Sequence, residues 1–259
     1  MTRVRGLVIP ALVLLLWELA PRFGLVDAGL LPPPSRVLGA GLALMGSGAL
    51  WAHLAASLWR VGLGYALAVM FALPLGLALG LNPALDSYLN PLLQALRPIA
   101  PPAWVPLAIL WLGIGDPPAV FVIFVGTVLA VMVGTAAAAR ALERELVEVA
   151  LTLGATRWQA VRWVALPALA PALFGQLRVG LGLAWMCVVA AEMVAVRSGL
   201  GFMLMEARSL FHTERVLLCM AVIGALGLGL DRLLLVLERR MLRWREGTEA
   251  HELLAIRRL

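Results

Sequence analysis

The chain has 259 residues, 62% of them hydrophobic and only 14% charged, with a mean hydropathy of +0.94; such a composition is that of a membrane protein and excludes an ordinary soluble domain. Its net charge of +6 comes from 21 arginines and no lysine, which excludes a P-loop lysine or a Schiff-base lysine and leaves any ATP chemistry to another chain. Cys187 and Cys219 both lie in apolar runs, too few for a disulfide framework, and no basic and aromatic patch stands apart from the loops to suggest a nucleic acid.

A bilayer core takes roughly 20 apolar residues of helix. Six runs qualify, near residues 6–24, 58–81, 98–114, 117–138, 171–195 and 215–237, so six transmembrane helices are predicted in an all-α membrane protein. The first follows Arg3 and Arg5 and carries no small-residue cleavage site, with Pro21, Arg22 and Phe23 where one would stand; it reads as an uncleaved anchor. After it, "LPPPSRVLGAGLALM" places Val37, Leu38, Leu42 and Met45 at helical spacing, which reads as an amphipathic helix on a membrane face or as part of a longer apolar hairpin.

Gly76 and Gly80 have the small-xxx-small spacing that lets helices approach closely. The run "RPIAPPAWVPLAILWLGIGD" follows. Its Pro98, Pro101, Pro102 and Pro106 must distort a helix and leave carbonyls unpaired, and such backbone sits in a membrane only where protein buries it or water wets it. Pro102, Trp104 and Pro106 are therefore candidate pathway residues.

From Ala141 to Leu153, apolar Leu142, Leu146, Val149, Ala150 and Leu153 share one helical face, and Glu143, Arg144, Glu145 and Glu148 populate the other. This predicts an amphipathic helix prolonging the fourth span beyond the membrane. Gly154 stands where a left-handed residue would end it. Thr156 and Gln159 have the spacing of a capping box, so a second helix of about ten residues, roughly 15 Å, is predicted to stop before Pro167. Trp158 and Trp163 could anchor that short helix among headgroups, or the helix could be an exposed handle for a cytoplasmic partner.

With six spans the termini share a side. Placing both inside puts Arg3, Arg5, Arg97, Arg140, Arg144, Arg157, Arg162, Arg239, Arg240, Arg243, Arg245, Arg257 and Arg258 in the cytoplasm, against Arg22, Arg36, Arg60, Arg197, Arg208 and Arg215 outside. That is the bias expected of cytoplasmic loops. Residues 238–259 read as a basic surface helix with Met241, Leu242 and Trp244 on anionic lipid, or as a contact for a partner. Within the membrane, Glu192 is a functional candidate because an ionisable group there is costly; it reads as a structural or gating residue rather than a binding one, since it could pair with an arginine or cap a helix near the outer face, and its negative charge would repel an anionic solute. Arg178 reads as a snorkelling residue or an anion way-station. His53, His212 and His251 form no ligand pair at helical spacing, and no metal is expected.

Glu148, Ala150 and Gly154, then nine residues, then Val164, Leu166 and Pro167 resemble the EAA loop of ABC-importer permeases. Val149 replaces the usual alanine and Val164 the usual isoleucine. "LLPPPSRVL", "SLWRVGLGYALA", "LRPIAPPAWVPLAILWLGIGD", "TLGATRW" and "WMCVVAAEMVAVRSGLGFM" are similar to segments of permeases for nitrate, taurine and alkanesulfonates. Around "VLAVMVGTAAAAR" the family's Phe-Pro and Asn-Thr are reduced to Thr135. The resemblance implies a type I importer permease (MetI-like) fold, with residues 1–57 as anchor and interfacial helix, 58–238 as the core with its loop at 140–170, and 239–259 as a tail. It further implies a homodimer, two cytoplasmic ATPase subunits holding ATP and Mg, and a periplasmic binding protein delivering a small, usually anionic solute in a bacterial inner membrane. The coupling helix would be Ala155 to Val164, with Trp158 and Val161 giving apolar contact and Arg157 or Arg162 pairing with partner acids; Thr156 and Pro167 bound it. Two rival readings are an intramembrane serine protease built on Ser198 and His212, and a secondary transporter or channel, which would show inverted repeats and helices broken at the midplane.

Overall fold

The computed structural model describes residues 2–142 and 144–242, with side chains at all of these except 2–7, 10 and 144. Among them the chain forms only helices: α1 (Thr2–Arg22), α2 (Pro34–Gly46), α3 (Ala49–Leu81), α4 (Pro83–Leu96), α5 (Val105–Leu112), α6 (Asp116–Arg140), α7 (Arg144–Thr152), α8 (Arg157–Ala160), α9 (Leu166–Glu192), α10 (Leu200–Ser209) and α11 (Thr213–Met241). Four helical stretches are long and apolar enough to cross a membrane: α3, α6, residues 157–192 and α11. The pair α4 and Pro101–Leu112, bent by 85°, makes a fifth if counted as one span. At 21 residues, α1 also reaches the roughly 30 Å of a hydrocarbon core, and Leu12 to Leu16 are all more than half exposed, as on a helix facing lipid.

The centre is a close pairing of α3 with α6. On α3 the small residues Gly64, Ala68, Ala72, Gly76 and Gly80 recur every four positions, and all but Gly80 are buried. A Cβ on Gly64 would fall 2.7 Å from Ile123, and one on Gly76 would fall 2.7 Å from the Met132 carbonyl; at Gly80 it would meet Ala139. Rising numbers on both sides mean that α3 and α6 run parallel. The α6–α9 contact is antiparallel, with Gly126 against Cys187, Gly180 against Val131, and Gly134 against Gln176. The predicted Gly76/Gly80 contact is thus part of a longer stripe.

Three junctions differ from the sequence expectations. The proline run does not simply distort the start of a span over 98–114: Pro83–Leu96, left between spans in the sequence reading, is a helix capped by the Asn82 side chain, which accepts from the Ala84 and Leu85 amides, and the chain turns at residues 97–100 into a 3₁₀ turn over Pro101–Trp104. Prolines 98, 101 and 102 have no N–H to continue the ladder. Nor does α7 prolong α6, because α6 ends at Arg140 with Ala141 as its cap. The short helix also does not stop before Pro167. Residues 157–192 run on as one rod, because Val161–Ala165 form a π turn whose wider loop sends the Leu166 amide to the Val161 carbonyl and takes up the ring that would otherwise clash with the Trp163 carbonyl.

At the end away from α7 and α8, Trp17 Nε1 donates to the Pro32 carbonyl, and Glu18 accepts from both the amide (3.0 Å) and hydroxyl (2.8 Å) of Ser35. α1 thereby holds the start of α2. Only Val37 of the four expected apolar positions on α2 is buried, together with Gly41, which lets Leu218 of α11 approach; Leu38 and Leu42 point outward. The tail beyond Leu242, with Trp244 and the last arginines, lies outside the described residues, as does Glu143.

Candidate functional site

The jointed segment is built from backbone chemistry outward. α7 ends in a Schellman arrangement: the Ala155 amide donates to the Ala150 carbonyl (3.1 Å) and the Gly154 amide to the Leu151 carbonyl (3.0 Å). Gly154 sits at φ +89°, a left-handed conformation that glycine adopts without steric cost. The capping box then starts α8, with the Thr156 amide donating to the Gln159 side-chain oxygen (2.8 Å) and the Gln159 amide to the Thr156 hydroxyl (3.3 Å). Two helices therefore meet at a fixed corner, and the second continues through the π turn into the bundle.

Among the described residues, nothing covers the outer face of this corner. Trp158 and Trp163 are each 68% exposed, and Leu146 and Val149 of α7, with Leu153 just beyond its end, also face outward. Glu148, Arg157, Arg162 and Pro167 are exposed, Ala150, Ala155 and Val161 are half-buried, and Ala160 is buried against the body. The predicted apolar face of α7 is thus unpartnered, and an apolar patch rimmed by arginines is the make-up of a docking surface. Beside it lies a cleft of about 660 Å³ lined by Leu79, Gly80, Asp86, Arg140, Val147 and Glu148. It is bridged by the ion pair of Arg140 with Asp86 at 2.7 Å.

The three candidate proline-run residues do not converge on one point. Pro102 and Pro106 are exposed, whereas Trp104 is half-buried against the core formed by α6 and α9. Pro101 packs on Gly126, close to the middle of α6, so the 85° bend lies at mid-bundle with residues 97–100 exposed. Arg97, which the arginine tally had put among the cytoplasmic arginines, caps α4 at this mid-bundle bend.

Arg178 is held by Asp231 of α11 through two bonds, Nε to Oδ1 at 3.0 Å and Nη2 to Oδ2 at 3.1 Å. Glu192 is 1% exposed and is the last residue of α9, whereas Arg178 lies near the middle of that helix. It accepts from Arg60 (2.6 Å), the Ser57 hydroxyl (2.8 Å) and the Gly201 amide (3.0 Å). Arg60, counted among loop arginines by sequence, is instead 2% exposed on α3. It also donates to Asp116 of α6 and to Ser198. Arg60 spends its donors on these partners and so offers none to an anion. The signal available in the sequence was "SLWR", where Ser57 and Arg60 lie one turn apart leading into an apolar run. Ser198, the nucleophile of the protease reading, is an acceptor for Arg60, while His212 stands beside Glu214 at 3.4 Å.

Comparison with known proteins decides between the readings. The profile of the family described as "Binding-protein-dependent transport system inner membrane component" matches residues 68–243. The taurine transport system permease protein TauC of Escherichia coli is 36% identical over 239 residues, covering 90% of this chain and 87% of the relative. The chain belongs to the ABC transporter permease family. A bicarbonate transport system permease protein, CmpB of Synechococcus elongatus, is 38% identical over 189 residues, 73% of this chain and 68% of the relative. Among solved structures, a chain of the MetNI methionine ABC transporter in inward facing conformations has a TM-score of 0.60 at 21% identity, covering 73% of this chain and 92% of that one. The permease therefore has the MetI-like fold and is a multi-pass membrane protein. The bend at mid-bundle is one mark expected of a secondary transporter, but it sits here in an ABC permease.

Proposed function

We propose that this permease is one of two identical membrane subunits of an ATP-driven importer, with both termini and the α7–α8 corner in the cytoplasm of a bacterial cell. Two separate ATPase subunits would bind ATP and Mg, and a binding protein on the far side would deliver a small anionic solute such as taurine, another sulfonate, nitrate or bicarbonate. The observation that carries this reading is the α7–α8 corner: an exposed, doubly capped helix start whose rod runs unbroken through the π turn to Glu192. A displacement applied at Trp158 is transmitted along roughly 50 Å of helix, so closure of an ATPase pair could rock the bundle between its two accessible states.

Glu148, Ala150 and Gly154 set the corner. Ala155, Thr156, Arg157, Trp158, Val161 and Arg162 form the coupling surface, and Pro167 marks where the rod enters the body. The mid-bundle bend supports a second copy, because irregular backbone exposed at membrane depth needs protein or water over it; Pro102, Trp104 and Pro106 then border the path between copies. Taking Arg60 out of the loop tally leaves five outer arginines, Arg22, Arg36, Arg197, Arg208 and Arg215, and the inner excess persists without Arg97.

Co-expression with the ATPase and binding protein encoded beside it, purification and reconstitution test the reading. The expected result is a complex with two permease copies whose ATP hydrolysis rises with loaded binding protein and accompanies uptake of taurine, a sulfonate, nitrate or bicarbonate. Uptake by the permease alone, with no ATPase copurifying, would establish the secondary-transporter or channel reading instead.

A further inference from the structure

Arg60 uses every donor it has. Its Nε and Nη2 bond Asp116 at 2.9 and 2.7 Å, Nη1 bonds Glu192 and the Ser198 carbonyl at 2.6 and 2.8 Å, and Nη2 also reaches the Ser198 hydroxyl. A guanidinium has five N–H groups, so none is left over. The bonds reach α6, the end of α9 and the 193–199 loop from a single position on α3.

A second layer fastens α10 to the same point. The Leu200 amide donates to the Ser57 hydroxyl (2.9 Å) and the Gly201 amide to Glu192 (3.0 Å), so the first turn of α10 is capped by side chains of α3 and α9. The Gly199 amide donates to His53 Nδ1 at 2.9 Å. At φ +104° Gly199 lies against the Glu192 carboxylate with no room for a Cβ. The packing is thus fitted to the charge.

Apolar packing could join these helices without the desolvation that buried charges incur, and a buried ion pair adds little net stability over a hydrophobic match. Its use is to fix one arrangement, or to let that arrangement be released. One side is open: Asp116 is 56% exposed, at an opening of about 470 Å³ lined by Arg60, Ile114, Asp116, Val196, Arg197 and Ser198. Glu192, by contrast, is enclosed. Arg60 can keep Asp116 while the loop lifts away, so opening need not strand its charge.

We propose that Arg60 is a positioning residue for transport, a latch that clamps the 193–199 loop and the start of α10 onto α3, and that release of its Ser198 and Glu192 bonds is a step in opening this end of the permease. The latch rests on the importer reading. It acts through the loop and α10 and touches no solute.

The test uses the full complex in liposomes and reads ATP hydrolysed per solute taken up. Glu192→Gln keeps the shape but weakens the charged bonds, and is expected to raise ATP hydrolysis without binding protein roughly tenfold, the shift that about 1.4 kcal/mol produces, while lowering uptake. Ser198→Ala removes one bond and should move the ratio the same way by less. Arg60→Lys keeps the charge but loses the fork, and should fall between wild type and Glu192→Gln. A wild-type ratio in both Glu192→Gln and Ser198→Ala overturns the latch. If Glu192→Gln does not assemble, Ser198→Ala is read with Ser57→Ala, and a wild-type ratio in those two overturns it equally. Failure of the importer reading is distinct, because then no ATPase copurifies with the unaltered chain.

Discussion

Replacing Trp158 with alanine separates a docking role from a structural one. A tryptophan offers about 150–250 Å² of contact surface, and at 68% exposure roughly 150 Å² of it is free. Covering that area would contribute at most about 4 kcal/mol at 25 cal/mol per Å²; with ordering costs taken off, about 2 kcal/mol is expected, the threshold of an interface hot spot. Trp158→Ala should therefore weaken ATPase association about 30-fold. The permease's own unfolding midpoint should move by no more than an exposed substitution allows, about 0.5 kcal/mol. Titrating purified ATPase against permease in lipid nanodiscs, with thermal unfolding alongside, measures both. Unchanged affinity, or a loss of affinity matched by a loss of permease stability, would refute the coupling role of this side chain.

Other substitutions probe the frame behind that surface. Gly76→Ala forces a Cβ to within 2.7 Å of the Met132 carbonyl, whereas Gly62→Ala on the same helix meets nothing within 4 Å; the first should destabilise by about 1–3 kcal/mol and the second by none, read as detergent unfolding midpoints. Gly154→Ala meets no neighbour and carries only the left-handed backbone cost of about 1 kcal/mol. It should reduce solute-stimulated ATP hydrolysis several-fold with little change in unfolding temperature. For Arg178, the exchange Arg178→Asp with Asp231→Arg keeps the pair in reversed order. Uptake recovering toward wild type marks the pair as a brace between α9 and α11, while uptake staying lost would mark Arg178 as a group the solute needs.

The corner at Gly154 was legible because its signals are local: a glycine after an amphipathic run and a Thr–Gln spacing each specify backbone geometry within a few residues, and the Schellman bonds and capping box followed. Most of the apolar spans were legible for the same reason, but the one expected at 98–114 is half of a helix pair bent by 85° over residues 83–112. The rod through Pro167 was not, since a proline inside a helix reads as a stop unless the π turn before it is known, and nothing in "VRWVA" announces i→i+5 bonding. The Arg60 cluster failed differently. Its partners Asp116, Glu192 and Ser198 lie 56 to 138 residues away, and only the tertiary fold brings them together. An arginine near the start of a span looks the same in sequence whether it reaches water or turns inward.

The joints and the fastenings of this molecule are distributed unevenly, and the unevenness bears on how it moves. At the end with α7 and α8, the chain breaks after Arg140, turns at Gly154 and widens into a π turn within the rod, while the salt bridge between Arg140 and Asp86 is partly exposed and weak for that reason. At the opposite end, α3, α6 and α9 meet on one enclosed arginine, and α10 is fastened beside it through Glu192 and Ser57. Between them, the glycine and alanine stripe holds α3 and α6 too close to slide independently. A stroke received at Trp158 therefore travels along the 157–192 rod straight into the close-packed α3–α6–α9 block. The far end can respond only by moving with that block or by releasing Arg60, and the ratio of ATP hydrolysed to solute moved in Glu192→Gln distinguishes these two routes.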